Sequence, residues 1–91
     1  MMNNDVWNKK EMEALVILQE ECGELVQAIS KCFRYGKDNP DSDTPNIERV
    51  EREIGDVLCL VDYLIENCYL SDYIINEAKS SKKEKLKEWS N

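Results

Sequence analysis

The chain has 91 residues, 42% of them hydrophobic and 34% charged, with a net charge of −7. That length gives one domain, residues 1–91, burying only about 60–65% of its unfolded surface, so a helical unit of this size calls for a partner subunit. The acidity disfavours a polymeric nucleic-acid binder, whose affinity comes from neutralising phosphates, and no apolar run approaches the roughly 20 residues of a membrane span.

The opening MMNNDVWNKKEME is polar and acidic and holds no signal-peptide core. The expected location is the cytoplasm, or a host's cytoplasm for a viral source. Leu15, Leu18, Cys22, Leu25 and Ile29 then recur at spacings of three and four, one face of a long helix from near Asn8 to about Tyr35. Gly36 is its stop signal. GKDNPDSDTPN contains both prolines and reads as a loop. Asn46 is the expected cap of a second helix, with Arg49 rather than an acid at the capping-box position. Ile47, Val50, Ile54, Val57, Leu58, Val61, Leu64 and Ile65 give this helix its apolar stripe, ending near Asn67. Ser71 caps a third helix carrying Tyr73, Ile74, Ile75 and Ala78. Lys82 to Trp89 reads as helical too, with Ser80 and Ser81 as a break or bend. Strand periodicity is absent. The expected fold is all-α: an antiparallel bundle of about three to four helices, completed by oligomerisation.

Cys22, Cys32, Cys59 and Cys68 form no C-x-x-C pair, and the chain has no His, so a Cys₂His₂ zinc site is excluded. The four read as small buried thiols. Pairing Cys22 with Cys32, or Cys59 with Cys68, would have to span most of a helix. Charge is unevenly distributed: residues 79–89 carry +3 and everything before them −10.

The chemistry lies in the carboxylates. Glu21 and Glu24 share one face of the first helix, and Glu53 and Asp56 one face of the second, each pair three residues apart. Both pairs sit at the margin of an apolar stripe, where four converging acids would repel and lose hydration. A hard divalent cation relieves both penalties. Mg²⁺ prefers carboxylate oxygens and accepts substrate phosphates, with Mn²⁺ as a substitute. Gly23 and Gly55 lie inside the pairs, where a missing side chain admits a metal, a substrate or a neighbouring helix. Against this stands the plainer reading of solvated acidic surface.

Glu20-Glu21-x-x-Glu24, a 28-residue interval and Glu53-x-x-Asp56 resemble the signature of the MazG-like nucleoside triphosphate pyrophosphohydrolases of the all-α NTP pyrophosphatase superfamily. EECGELVQAISKCFRYGK and EREIGDVLCLVDYLI carry the likeness, which spans about residues 11–89 and is nearest to small single-domain phage forms. The resemblance implies Mg²⁺ ligands at Glu21, Glu24, Glu53 and Asp56. It places Glu20 beside them as a further metal contact or the group orienting the attacking water. It also implies cleavage of a nucleoside triphosphate between the α- and β-phosphates, by a homodimer or homotetramer, in nucleotide-pool clearance.

Further candidates each have two readings. Lys31 and Arg34 either meet phosphate oxygens or complement the helix C-terminus. Lys79 and Lys83, in a run like the basic C-terminal segment that reaches the substrate in such enzymes, either do so here or form a solvated helix end. Trp7 either stacks on a base, across a subunit boundary, or packs on the bundle. Three rivals to the nucleotide hydrolase stay open. One is a non-enzymatic helical interaction module with an acidic surface. Another is a phosphoribosyl-ATP pyrophosphohydrolase. The third, a di-iron bundle, is disfavoured by the absence of His.

Overall fold

The structure is a computed structural model that describes residues 7–40 and 42–89. It consists of three helices, α1 (Lys9–Tyr35), α2 (Asn46–Glu66) and α3 (Asp72–Trp89), with no strand among the described residues. The all-α expectation holds. None of the described helices is long and apolar enough to cross a membrane.

Local chemistry explains the ends of α1. The Asn8 side-chain oxygen accepts from the backbone N–H of Lys10 (2.8 Å) and Glu11 (3.4 Å), satisfying two donors that the first turn leaves open. At the other end Gly36 adopts φ 89°, and its N–H closes on the Cys32 carbonyl at 2.8 Å. That left-handed backbone is open to glycine at little cost.

The loop folds α2 back along α1. Asn46 Nδ2 donates to the Gly36 carbonyl (3.0 Å) and the Ile47 N–H to the Lys37 carbonyl (2.9 Å), tying the end of α1 to the start of α2. The two helices pack on each other as an antiparallel hairpin. Asn46 therefore does not act as the expected cap. Pro45 holds the cap position without a side-chain bond, and Asn46 is the buried first residue of α2. Its amide does more by closing the loop than by covering one helical N–H.

Seven-residue spacing sets the seam. Ala14, Glu21 and Ala28 lie along one line of α1, and Asn46, Glu53 and Leu60 along one line of α2. Ala14 (6% exposed), Ala28 (8%) and Leu64 (0%) are the buried apolar side chains among the described residues. The alanines leave room for close approach of the partner helix. This seam is rotated from the expected core face: Leu18 and Leu25 are half-buried, but Cys22 and Ile29 are exposed. The apolar stripe of α1 is wider than one neighbouring helix can cover.

What is left over gathers on one side. In an antiparallel pair, residues displaced in the same rotational sense from the seam emerge on the same face. Cys22, Val26, Ile29 and Phe33 of α1 and Ile47, Ile54 and Leu58 of α2 are so placed, and all are exposed. The chain exposes 7600 Å², against about 5,500 Å² for a compact monomer of this mass. Its radius of gyration is 16.6 Å, against about 12 Å for a compact 91-residue domain.

α3 adds little to the core. It packs on neither α1 nor α2 to any comparable extent, and only Ile75 of its side chains is even half-buried. Ser71 Oγ accepts from the Ile74 N–H at 3.3 Å, as expected for its N-cap. The helix runs without interruption through Ser80 and Ser81, contrary to the expected break. Serine is an indifferent helix former, not a breaker. All four cysteines are free, as expected, but Cys22, Cys59 and Cys68 are exposed and only Cys32 is half-buried, so within one chain they are not core thiols.

Leu64→Ala is expected to destabilise the protein by about 2–5 kcal/mol, the usual range for a fully buried leucine. Leu58→Ala, at a site 57% exposed in one chain, should cost under about 1 kcal/mol if that face meets water. Urea unfolding of both variants measures the difference, and equal losses would show that the face is covered in solution.

Candidate metal centre

Glu21 and Glu53 occupy the middle of their seven-residue lines, so the packing that closes the hairpin also aims two carboxylates into the seam. Glu24, one turn along α1, joins them: one oxygen from each of Glu21, Glu24 and Glu53 lies within 4.8 Å of the other two. Glu21 and Glu53 are half-buried and Glu24 is exposed. Glu21 Oε2 and Glu53 Oε2 are each shielded from solvent and have no hydrogen-bond partner among the described residues. Buried carboxylate oxygens are normally satisfied. Two such oxygens, drawn together at the seam, suit a cation as their common partner.

The electrostatics agree. The Glu53 carboxyl facing Glu21 is the main cause that lifts Glu21 above the ordinary carboxylate range, with burial and the charges of Glu53 and Asp56 adding and Glu24 opposing. Glu24 is also lifted, first by the charge of Glu21, then by its hydrogen-bonding contact with Glu21, burial, Asp56 and Glu20. Like charges in one place disfavour full ionisation. A divalent ion reverses that balance by supplying the opposite charge.

Other expected site residues divide. Asp56 is exposed and stands outside the three-oxygen group, though its charge bears on both Glu21 and Glu24. Its side chain is one methylene shorter than the glutamates. Glu20 is exposed and acts on Glu24 electrostatically without joining the cluster. A Cβ built at Gly23 or Gly55 meets nothing within 4 Å, so neither glycine is required by a neighbour within the chain.

A cavity of about 370 Å³ opens beside the cluster, on the opposite side of the hairpin from the exposed apolar face. Glu24 and Glu53 line it together with Lys31, one of the two candidate cations that follow the first acid pair. Arg34 does not line it; its guanidinium lies over the Tyr35 ring, 5.3 Å from the centroid. Lys79 and Lys83 are exposed on α3 and do not line it either. Trp7 is half-buried and, with Met12 and Val16, lines a different pocket on another part of α1. Arg49 and Arg52 do line the cavity, and the sequence reading passed over both as site residues. The signal was available: Arg49 precedes Glu53 by four residues and so shares its face.

Comparison with protein families matches residues 9–88 to the MazG nucleotide pyrophosphohydrolase domain. No curated protein and no solved structure matches the chain.

The raised carboxyls fix a sign for the metal-free protein. A group whose affinity for protons is higher folded than unfolded stabilises the fold below its unfolded pKa, and that stability is lost as pH rises through the folded value. For Glu21 and Glu24, both raised, the loss falls above the ordinary carboxylate range. Metal-free Glu21→Gln is therefore expected to melt higher than wild type at pH 7 and to gain less on acidification towards about pH 5. Millimolar Mg²⁺ should raise the wild-type Tm by mass action and shift the variant much less. Scanning calorimetry at both pH values, with chelator or Mg²⁺, reads all of these effects.

Proposed function

Because this chain belongs to the MazG nucleotide pyrophosphohydrolase family, we propose that it hydrolyses nucleoside or deoxynucleoside triphosphates to the monophosphate and pyrophosphate in a Mg²⁺-dependent reaction that clears the nucleotide pool. The observation that carries the reading is the close group formed by Glu21, Glu24 and Glu53, two of whose oxygens are shielded and unpartnered.

Glu21, Glu24, Glu53 and Asp56 would hold the ion; their all-oxygen donor set supports reading it as Mg²⁺, with Mn²⁺ as a substitute. Bound there, a divalent cation offsets charge developing on phosphate oxygens and makes a water easier to deprotonate. The chain's own groups do the rest. Glu20, close enough to act on the charge of Glu24, orients the attacking water and takes its proton. Lys31, on the cavity wall, holds phosphate oxygens. The bond cleaved is the one joining the α-phosphate to the β-phosphate.

Assembly completes this reading. The exposed face made by Val26, Ile29, Phe33, Ile47, Ile54 and Leu58 is apolar enough to need a cover, and a second copy supplies one in a homodimer or homotetramer. Such packing leaves the cavity side open. It also gives Arg34, Lys79, Lys83 and Trp7 their route to a substrate, from one subunit to the site of its neighbour. The protein acts in the cytoplasm on free nucleotides, without polymeric nucleic acid or membrane.

Pyrophosphate release from a panel of NTPs and dNTPs, with Mg²⁺ and with chelator, tests the proposal. Turnover should require the metal. Glu24→Gln and Asp56→Asn should each lower kcat/KM by at least about a hundredfold, the scale of losing several kcal/mol of charge stabilisation. No Mg²⁺-dependent turnover, with both variants as stable as wild type, would make the chain a helical interaction module instead. Release of pyrophosphate from phosphoribosyl-ATP alone would reassign its substrate.

A further inference from the structure

The outer face of α2 and one face of α3 are complements that a single chain does not bring together. On α2, Gly55, Cys59, Asp62 and Glu66 follow one another at spacings of four, three and four, along one stripe. Asp62 comes nine residues after Glu53, two and a half turns, so this stripe lies opposite the seam. Leu58 and Ile65 border it, and the whole forms an open groove of about 770 Å³. Gly55 is a poor choice inside a helix, and a Cβ there would meet nothing within 4 Å in its own chain. On α3, Ile75, Lys79, Lys82 and Trp89 share one stripe in the same way. Trp89 is 83% exposed and Ile75 only half-buried. Residues 79–89 carry +3 in a chain of −7. Neither Asp62, Glu66 nor Lys82 makes an ion pair among the described residues.

The turn between the helices keeps them apart. Cys68 adopts φ 62°, and the N–H groups of Cys68 and Tyr69 close on the carbonyls of Ile65 and Leu64, each at 2.9 Å. This left-handed cap ends α2, and of α3 only Asp72 lines the groove. Lys82 lies ten residues further on, about 15 Å along the helix. We propose that α3 docks, through Ile75, Lys82 and Trp89, in the groove on the outer face of α2 of a second copy of this chain. Lys82 then meets Asp62 and Glu66, and the apolar side chains of α3 cover Leu58, Ile65 and the bare backbone at Gly55. Each chain carries both surfaces, so a reciprocal exchange closes on a two-fold axis. The chain exposes 7600 Å² where a compact monomer of its mass exposes about 5,500 Å². A standard interface covers about 800 Å² of each partner, so the excess accommodates this contact beside the apolar face of the hairpin.

Docking of α3 needs no hydrolase activity, so it stands or falls apart from that reading. A carbodiimide, which joins a carboxylate to an amine in contact with it, is applied to ¹⁵N-labelled and unlabelled chains unfolded and refolded together. Peptide mass spectra should show Asp62 or Glu66 linked to Lys82 in pairs of mixed isotope. Pairs of a single isotope only would place α3 on its own chain and overturn the proposal, as would the absence of such links. Hydrogen exchange reads α3 directly. Lys82→Glu and Asp62→Lys, both at exposed positions, should each speed exchange of the α3 amides by at least about fivefold, the scale of turning an attraction into a like-charge contact. The double variant should recover most of the protection. Equal exchange in all four proteins would overturn the contact. So would a wild type that sediments as an oligomer while its α3 exchanges freely, leaving the apolar face of the hairpin as the interface.

Discussion

The hairpin brings Glu21 and Glu53 face to face in the seam between α1 and α2, and most other features follow from that opposition. Two carboxylates at the centre of a helix pair oppose the packing that brings them together. Among the described residues the buried apolar side chains, Ala14, Ala28 and Leu64, are a small core to set against it. The asparagine amide that ties Asn46 to Gly36 and the bond from Ile47 to Lys37 hold the other end of the hairpin shut. The acids are thus kept close by elements that would persist without them. That is the arrangement a metal site needs if its ligands are to be in place before the ion arrives.

Much of this was legible in the sequence, for reasons that can be named. Asn8 and Gly36 bound α1 because a side-chain acceptor and a left-handed residue do local jobs that need no tertiary partner. The three-residue spacing of each acid pair is likewise local geometry. What the sequence concealed was rotation. The Leu18/Leu25 flank of the α1 stripe points to α2, while Cys22 and Ile29 turn outward; periodicity gives the width of an apolar face but not which edge meets which neighbour. For the same reason Asn46 looked like a cap although its amide spans ten residues to close the loop. Arg49 and Arg52 were hidden by their own helix: on α2 they read as surface cations, and only the folding back of the chain sets them opposite Lys31.

The residues the single chain leaves away from the cavity have something in common. Trp7 stands before α1, and Lys79 and Lys83 lie on α3, which packs far less than the two helices of the hairpin pack on each other. These are the segments least constrained by the hairpin itself. An 18-residue helix with no buried side chain draws little stability from its own chain, since isolated helices near that length are marginal in water. Its apolar residues, Tyr73, Ile74 and Trp89, are exposed. The physical case for a partner therefore has two independent parts: the uncovered side of the hairpin and the undocked third helix.

Those two parts constrain how an assembly would treat the site. The apolar residues of α1 and α2 emerge on one side of the seam, and Glu24, Lys31, Arg49 and Arg52 on the other. Burying the first side in a subunit contact would fix the distance between the helices without filling the cavity. Tighter helix packing would press Glu21 and Glu53 closer and raise their need for a cation. Ion binding would then favour assembly by removing the repulsion that assembly increases, and by linkage assembly would favour ion binding. On this argument the carboxylate cluster is more than a set of ligands on a scaffold. Its repulsion would make the hairpin responsive to a metal ion, and cover on the opposite apolar face would set how strongly that response is felt.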